Sequence, residues 1–382
     1  GRYLIEVTPG SGYMSMPSAI IAPASDAGTS PLSVPACPGS PDDAIPALRL
    51  AWRFDCDPTA PKQDIHDYIR NRRESPSNIK SMPMFHNGRV YVTHGGDIWW
   101  GKRKSWLKCI DATQTGDLTE KGKIWTYNDL NQSVSTVAVA EGLVFVADAA
   151  HTLHCLDAES GERIWIHDRS APVLTLRGTS TPLVEEGLVM AGFANGKMTA
   201  LEVESGRQIW EAAVAISRGR SELQRIVDID VDPVIKDGVL YVTSYQGSLV
   251  AISLQDGRQI WNRDMSAYAG IAVDRQQVYI SDADSEVWAL DRRSGASLWK
   301  QDKLRRRSLT GPTVIGDYVA VGDYAGYIHL LSRADGSIVG RVRVDSDGIQ
   351  VPPAALSGNR LLVLGAGGKL SFYQIESLGD RF

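Results

Sequence analysis

The sequence predicts an all-β fold, an eight-bladed β-propeller of four-stranded blades. Three observations carry this. First, an apolar strand, a Ser-Gly or Asp-Gly turn and a Trp-bearing strand recur as one unit. The tryptophan slots are Trp125, Trp165, Trp210, Trp261 and Trp299, with Gly340 in a sixth, degenerate copy, and their spacings are 40, 45, 51, 38 and 41 residues. That is the size of a propeller blade. Second, seven hairpins of the form turn-then-VYV run from "NGRVYVTHG" to "GNRLLVLGA". Third, 36 glycines and 10 tryptophans stand against only 6 phenylalanines, a composition suited to many turns and a repeated strand motif.

Each element has its own reason. Asn-Gly and Asp-Gly between apolar runs favour tight hairpins because both residues tolerate positive φ. Gly161, Gly206, Gly257, Gly295 and Gly336 serve the second hairpin of their blades in the same way. The tryptophans are expected to be wedges between neighbouring blades. The last unit, about 350–375, lacks a tryptophan strand of its own. The N-terminal "YLIEV", Tyr3–Val7, is expected to supply that strand and close the ring, leaving no open sheet edge. Residues 14–54 then form a degenerate first blade ending at Trp52. Seven blades closed by the Trp52 strand, with residues 1–45 as an arm, is the alternative. Ala24–Pro46 and the stretch from Asp57 to Lys80 read as loops.

Hydrophobic residues make up 43% of 382, enough for a large core. A net charge of −5 and a pI near 5.9 do not point to general nucleic-acid binding. No apolar run approaches the roughly 18 residues of a membrane span. The start "GRYLIEVT" has no basic-then-apolar leader, so no signal peptide is expected. Cys37, Cys56, Cys109 and Cys155 are too few for a disulfide framework. Cys109 and Cys155 share a strand slot filled elsewhere by Ala200, Ala251 and Ala289, a small packed position. A Cys37–Cys56 disulfide is left open.

"IVDIDVDPVI", Ile226–Ile235, places Asp228, Asp230 and Asp232 two residues apart, on one side of an extended chain. It fails as a calcium loop. The sixth position needs Gly and holds Pro233; the twelfth needs Glu and holds Val239. No nucleophile stands nearby for acid–base chemistry. His151 and His154 are expected to face opposite ways on a strand and to form no ligand pair. "GAGGK", Gly365–Lys369, reads as a glycine turn rather than a phosphate loop. The basic runs "RNRRE" (70–74), "GKRK" (101–104) and "LRRRS" (304–308) read as solvated loop faces. Neither a metal nor a cofactor is expected.

The blade motif resembles the repeat of pyrroloquinoline-quinone (PQQ) enzymes. Those carry adjacent cysteines and calcium ligands around the quinone; no two cysteines are adjacent here, so the resemblance implies the fold and not the cofactor. "LTLRGTSTPLV", "GFANGKMTALEVESGRQIW", "ISRGRSELQRIVDIDVDPVI", "SYQGSLVAISLQDGRQIW" and "VAVGDYAGYIHLLSRADG" resemble the BamB family, over about 171–375. These are propeller lipoproteins of the machinery that inserts β-barrel proteins into the bacterial outer membrane. The resemblance implies a non-enzymatic scaffold on the periplasmic side of that membrane. It implies docking to the POTRA region of BamA, with unfolded outer-membrane proteins as a further partner class.

A family Leu-x-Leu-Arg-Gly loop is matched by Leu174, Leu176, Arg177 and Gly178, and an Asp-x-Asp loop by Asp228 and Asp230. Asp232 is outside the pattern. Residues 1–170 look more like a broader group of secreted PQQ-type repeat proteins, and the family's lipid-bearing N-terminal cysteine has no counterpart. The expectation is a single propeller domain over 1–382, composite at a blade boundary near 166–172, where quasi-independent blades permit a join. Alternatives from other classes are a periplasmic PQQ-like enzyme and a propeller whose funnel holds a small ligand or glycan.

Overall fold

The computed structural model describes residues 51–60, 77–79, 81–96, 102–168, 181–193, 196–215, 229, 232–244, 247–267 and 269–375, together with the short strands Ile5–Glu6 and Ala19–Ile20. Two compact units are present, residues 1–33 with 46–211 and residues 34–45 with 212–382. Among the described residues every regular element is a strand.

The first unit holds three antiparallel sheets of blade size, besides two two-stranded pairs. Blade 1 comprises Arg89–Gly95, Ser105–Asp111 and Lys123–Leu130, with an inner strand split into Asn78–Ile79 and Met84–His86. Blade 2 runs Ala138–Ala140, Leu143–Ala147, Leu153–Asp157, Arg163–His167, and blade 3 Leu183–Glu185, Leu188–Gly192, Lys197–Glu202, Gln208–Ala213. The division between units falls inside that last strand. In the second unit, blade 4 runs Val234–Lys236, Val239–Thr243, Ser248–Ser253, Gln259–Asp264, and blade 5 Ile271–Val273, Gln277–Ser281, Val287–Asp291, Ser297–Gln301. Blade 6 runs Thr313–Ile315, Tyr318–Gly322, Tyr327–Ser332, Ile338–Arg343, and blade 7 has three strands, Ala354–Leu356, Arg360–Leu364 and Leu370–Gln374.

All seven hairpins form as the sequence predicts. At the first, Asn87 and Gly88 take φ of 49° and 74°, the mirror-image turn whose twist matches the strands. The second strand is deeply buried in blades 2 to 6, where its first residue is half-buried and the next four are buried, from Leu143–Ala147 to Tyr318–Gly322. The core lies between successive blades of a unit. Tyr91, Leu107 and Trp125 of blade 1 pack with Val144, Val146 and Leu156 of blade 2. Tyr279, Val287 and Trp299 of blade 5 pack with Val319, Val321 and Leu331 of blade 6.

The tryptophans are wedges, and the glycines of the second hairpin are their floor. A Cβ on Gly161 would stand 2.5 Å from the Trp125 ring, and one on Gly295 2.7 Å from Trp261. Four of the indoles also donate to a carbonyl of the next blade: Trp125 to Ala158 at 3.2 Å, Trp165 to Val203, Trp261 to Arg292 and Trp299 to Arg333, each of these three at 2.9 Å. The slot before each wedge holds an exposed aliphatic, such as Ile260 or Leu298. It is the extra residue of a β-bulge, because the ladder steps from Ala251↔Trp261 to Ile252↔Gln259.

The N-terminal pairing among the described residues is local: Ile5–Glu6 pairs antiparallel with Ala19–Ile20. A hairpin within about 16 residues closes a far shorter loop than a pairing across the whole chain. The expected first blade, residues 14–54, lies mostly outside the described residues. Trp52–Arg53 pairs in parallel with Gly116–Asp117. The expanded fourth-strand connection of blade 1 offers free backbone there: Gly116 N–H donates to Ala51 and Leu118 N–H to Arg53. Trp52, Phe54 and Cys56 then cap the core of blade 1 with Val92, Ile110 and Leu118.

Candidate partner-docking loops

In each blade the turn between the second and third strands lies at the end where the chain leaves for the next blade. A repeated hydrogen bond ties the two together. Ala149 N–H donates to Gln132, Ala283 to Ser266, Tyr324 to Arg307 and Ala366 to Gly348, at 2.6–3.0 Å. These four inter-blade connections are therefore anchored elements rather than loose ones.

An aspartate stands just before that donor in three blades, at Asp148, Asp282 and Asp323, all in second-to-third strand turns. One carboxylate oxygen takes two turn N–H groups: Ala150 and Thr152 on Asp148, Asp284 and Glu286 on Asp282, Ala325 and Tyr327 on Asp323. The second oxygen differs. On Asp323 it meets Arg307 Nε at 2.5 Å and His329 Nε2 at 2.8 Å. On Asp148 it meets Asn131 at 2.9 Å and His154 Nε2 at 3.3 Å. On Asp282 it takes only the Trp288 indole, at 2.8 Å.

Charge follows from those partners. Burial opposes ionisation of Asp323, but the hydrogen bonds from His329, the Tyr327 N–H and Arg307 outweigh it and hold the carboxyl below its usual range. Asp148 behaves alike, through His154 and Asn131. Asp282 has no cation, and burial raises it.

All five residues expected to contact a partner, Leu174, Leu176, Arg177, Asp228 and Asp230, lie outside the described residues. What precedes and follows them is described. The first loop leaves from Asp168, which accepts from Thr152 Oγ1 at 3.3 Å. The second leaves through buried Val214 and Ala215, and Gly247 of the blade 4 turn packs on Ala215 so closely that a Cβ there would stand 2.8 Å from it. Ile229 is fully buried. Asp232 is exposed, Pro233 is buried and the strand begins at Val234, so Pro233 marks the passage from loop to strand as expected.

Other readings need adjustment. "LRRRS" is solvated as expected at Arg305, Arg306 and Ser308, but Arg305 also pairs with Glu286 at 3.1 Å and the half-buried Arg307 pairs with fully buried Asp323. In "GKRK", Lys102 pairs with Asp57 at 3.1 Å and is largely buried. A basic run carries no sign of which member finds a carboxylate across the chain. His151 sits in a turn at φ 67°, not on the strand, and His154 is buried against Asp148 and Tyr127. "GAGGK" is a hairpin turn, with Gly365 N–H donating to Lys369. Cys109 and Cys155 are buried, which pushes their thiols up to about 11 and about 12. Cys56 is likewise buried, with a free thiol, while Cys37 lies outside the described residues.

With this geometry in place, comparison with known proteins is informative. A family model described as outer membrane protein assembly factor BamB matches residues 49–301 and 293–378. The curated BamB of Bordetella pertussis is 34% identical over 294 residues, 73% of this chain and 76% of the relative. That of Pseudomonas aeruginosa is 44% identical over 209 residues, 55% of each chain. The chain thus spans little more than half the length of several curated relatives it matches. The crystal structure of BamB from Moraxella catarrhalis shares the fold, with a TM-score of 0.65 at 24% identity over 86% of this chain and 87% of that one. The sheets are those of a BamB-like propeller, and the chain belongs to the family of the outer membrane protein assembly factor BamB.

Proposed function

We propose that this chain is a non-enzymatic scaffold of outer-membrane β-barrel protein assembly, working in the periplasm at the inner face of the outer membrane. It docks to the POTRA region of BamA through Leu174, Leu176 and Arg177 of one inter-blade loop and Asp228 and Asp230 of the next. Membership of the BamB family carries the reading. The residues from which the two loops leave support it: Asp168 accepts from Thr152, and Val214 and Ala215 are buried, and a loop held at its base loses less entropy on binding. Arg177 supplies a hot-spot cation and the leucines exclude water around it. Unfolded outer-membrane proteins are the second partner class. An eighth blade is part of the same proposal, with the Ile5–Glu6 and Ala19–Ile20 hairpin contributing strands to it.

A pull-down with the periplasmic domains of BamA tests the docking. Wild type should be captured, while Arg177→Ala and the Asp228→Ala/Asp230→Ala pair should weaken capture, each by about 2–5 kcal/mol if the contacts are buried, with melting unchanged. Equal capture of all three proteins, or none of the wild type, would overturn the docking assignment.

A further inference from the structure

We propose that the outer strand of blade 6, Ile338–Arg343, is a docking edge for an acidic, extended segment of a partner protein. The inference rests on the geometry of this strand and does not depend on the BamA reading.

The strand ends its sheet, so one row of its backbone N–H and C=O groups has no ladder partner. Its bulge is at Val339, where the ladder steps from Leu330↔Gly340 to Leu331↔Ile338, which leaves Gly340–Arg343 regular. Arg341 and Arg343 are exposed and stand opposite His329 and Tyr327. Being two residues apart, they share a face at a spacing of about 6.6–6.8 Å.

Three guanidinium groups surround one phenol ring. Those of Arg307, Arg341 and Arg343 lie 5.9, 5.7 and 5.8 Å from the centre of the Tyr327 ring. Arg307 also lies 5.7 Å from the ring of Tyr324, a side chain 58% exposed. Asp323 neutralises Arg307. Among the described residues Arg341 and Arg343 make no ion pair. Two uncompensated cations around a shared ring repel each other, and an anion between them removes that repulsion.

The other outer strands differ in charge. Three residues after the tryptophan slot stand Asp168, Asp264 and Asp302 in blades 2, 4 and 5, and Asn128 and Ala213 in blades 1 and 3. Arg343 reverses that sign. Like charges on an edge discourage a second copy of the same strand. Carboxylates at alternate positions of an added strand would face Arg341 and Arg343 across about 4.5–5.5 Å, within reach of a guanidinium fork. The open ladder and the two-residue spacing favour a strand over a lipid headgroup, which needs neither.

Fluorescence anisotropy tests this with a labelled ten-residue peptide in which Glu alternates with Val and Thr. Two control peptides have the same composition with the glutamates adjacent, and Gln in place of Glu. The alternating peptide should bind at least tenfold more tightly than either. An Arg341→Glu/Arg343→Glu variant should weaken it at least tenfold, with an unchanged circular dichroism spectrum. Arg258→Glu, an exposed charge elsewhere, should leave it unaltered. Equal binding of the alternating and clustered peptides, undiminished binding by the double variant, no binding of any peptide, or binding to anionic phosphatidylglycerol vesicles alone would each overturn the proposal.

Discussion

Blades 5 and 6 end in outer strands that are alike in register and unlike in what they hold. Both carry the bulge with an exposed aliphatic, Leu298 and Val339, each 51% exposed. The next residue is Trp299 in one and Gly340 in the other. Trp299 is nine-tenths buried, donates to Arg333 of blade 6 and rests its ring on Gly336. A Cβ on Gly340 would meet only Leu330, at 3.7 Å. The backbone pattern of a blade is thus separable from the clamp that ties it to its successor, and the clamp is a two-residue device, an indole and a glycine floor.

The largest expected effect comes from removing a clamp. Trp261→Ala should destabilise the protein by about 3–5 kcal/mol, as truncation of a buried tryptophan does, read as a lowered urea midpoint. A loss under about 1 kcal/mol would mean that the tryptophan fills space without joining blades.

The aspartate turns sharpen the contrast between blades 5 and 6 next. Asp323→Asn breaks a fully buried carboxylate away from Arg307 and His329. Arg307 is partly exposed, so the expected loss is reduced from that of a wholly buried pair to about 2–3 kcal/mol. Asp282→Asn, with no cation to lose, should cost about 1 kcal/mol. The pH dependence has a definite sign. The folded-state value of Asp323 is lowered, so its contribution is present above the ordinary carboxylate value near 3.9 and is lost as pH falls through the lowered value. Asp282 is raised, so its contribution is present below the ordinary value and is lost as pH rises through the raised one. Urea midpoints between about pH 2 and 6 should therefore fall more steeply with acid in wild type than in Asp323→Asn. Parallel curves would remove Asp323 from the acid response.

A smaller effect addresses the floor rather than the wedge. Gly336 has φ 72°, and a Cβ there would collide with the Trp299 ring. Gly336→Ala should cost about 1–3 kcal/mol from backbone strain and displaced indole together. Gly142, at φ 76° with nothing near a Cβ, should lose only the strain component, about 1 kcal/mol, on the same substitution. Equal losses at the two sites would show that the ring makes no demand on the glycine.

Much of this was legible in the residues. The hairpins, the tryptophan wedges and the glycine turns follow from local rules about φ and strand patterning, and blades repeat them with little interference. The N-terminal pairing was not legible, because short apolar runs such as those at Tyr3–Val7 and Ile20–Ala22 fit several edges equally and loop entropy decides among them. The parallel partner of Trp52 arose from an insertion at Gly116–Asp117 that no repeat template contains. Among the candidate docking residues the motifs are visible, but the sequence cannot assign their contacts. The Arg343 reversal was available in the aligned tryptophan slots and required only reading three residues further.

The finest test concerns the slot that lacks the indole. Gly340 is a strand residue with room for a side chain, since a Cβ there meets only Leu330, at 3.7 Å. A glycine inside a strand costs roughly 0.5–1 kcal/mol relative to alanine. Gly340→Ala should therefore raise the urea midpoint by that small amount, whereas the same substitution at the floor glycine Gly336 lowers it. A loss at Gly340 matching that at Gly336 would show that the slot is packed as tightly as a floor, and that blade 6 is clamped after all.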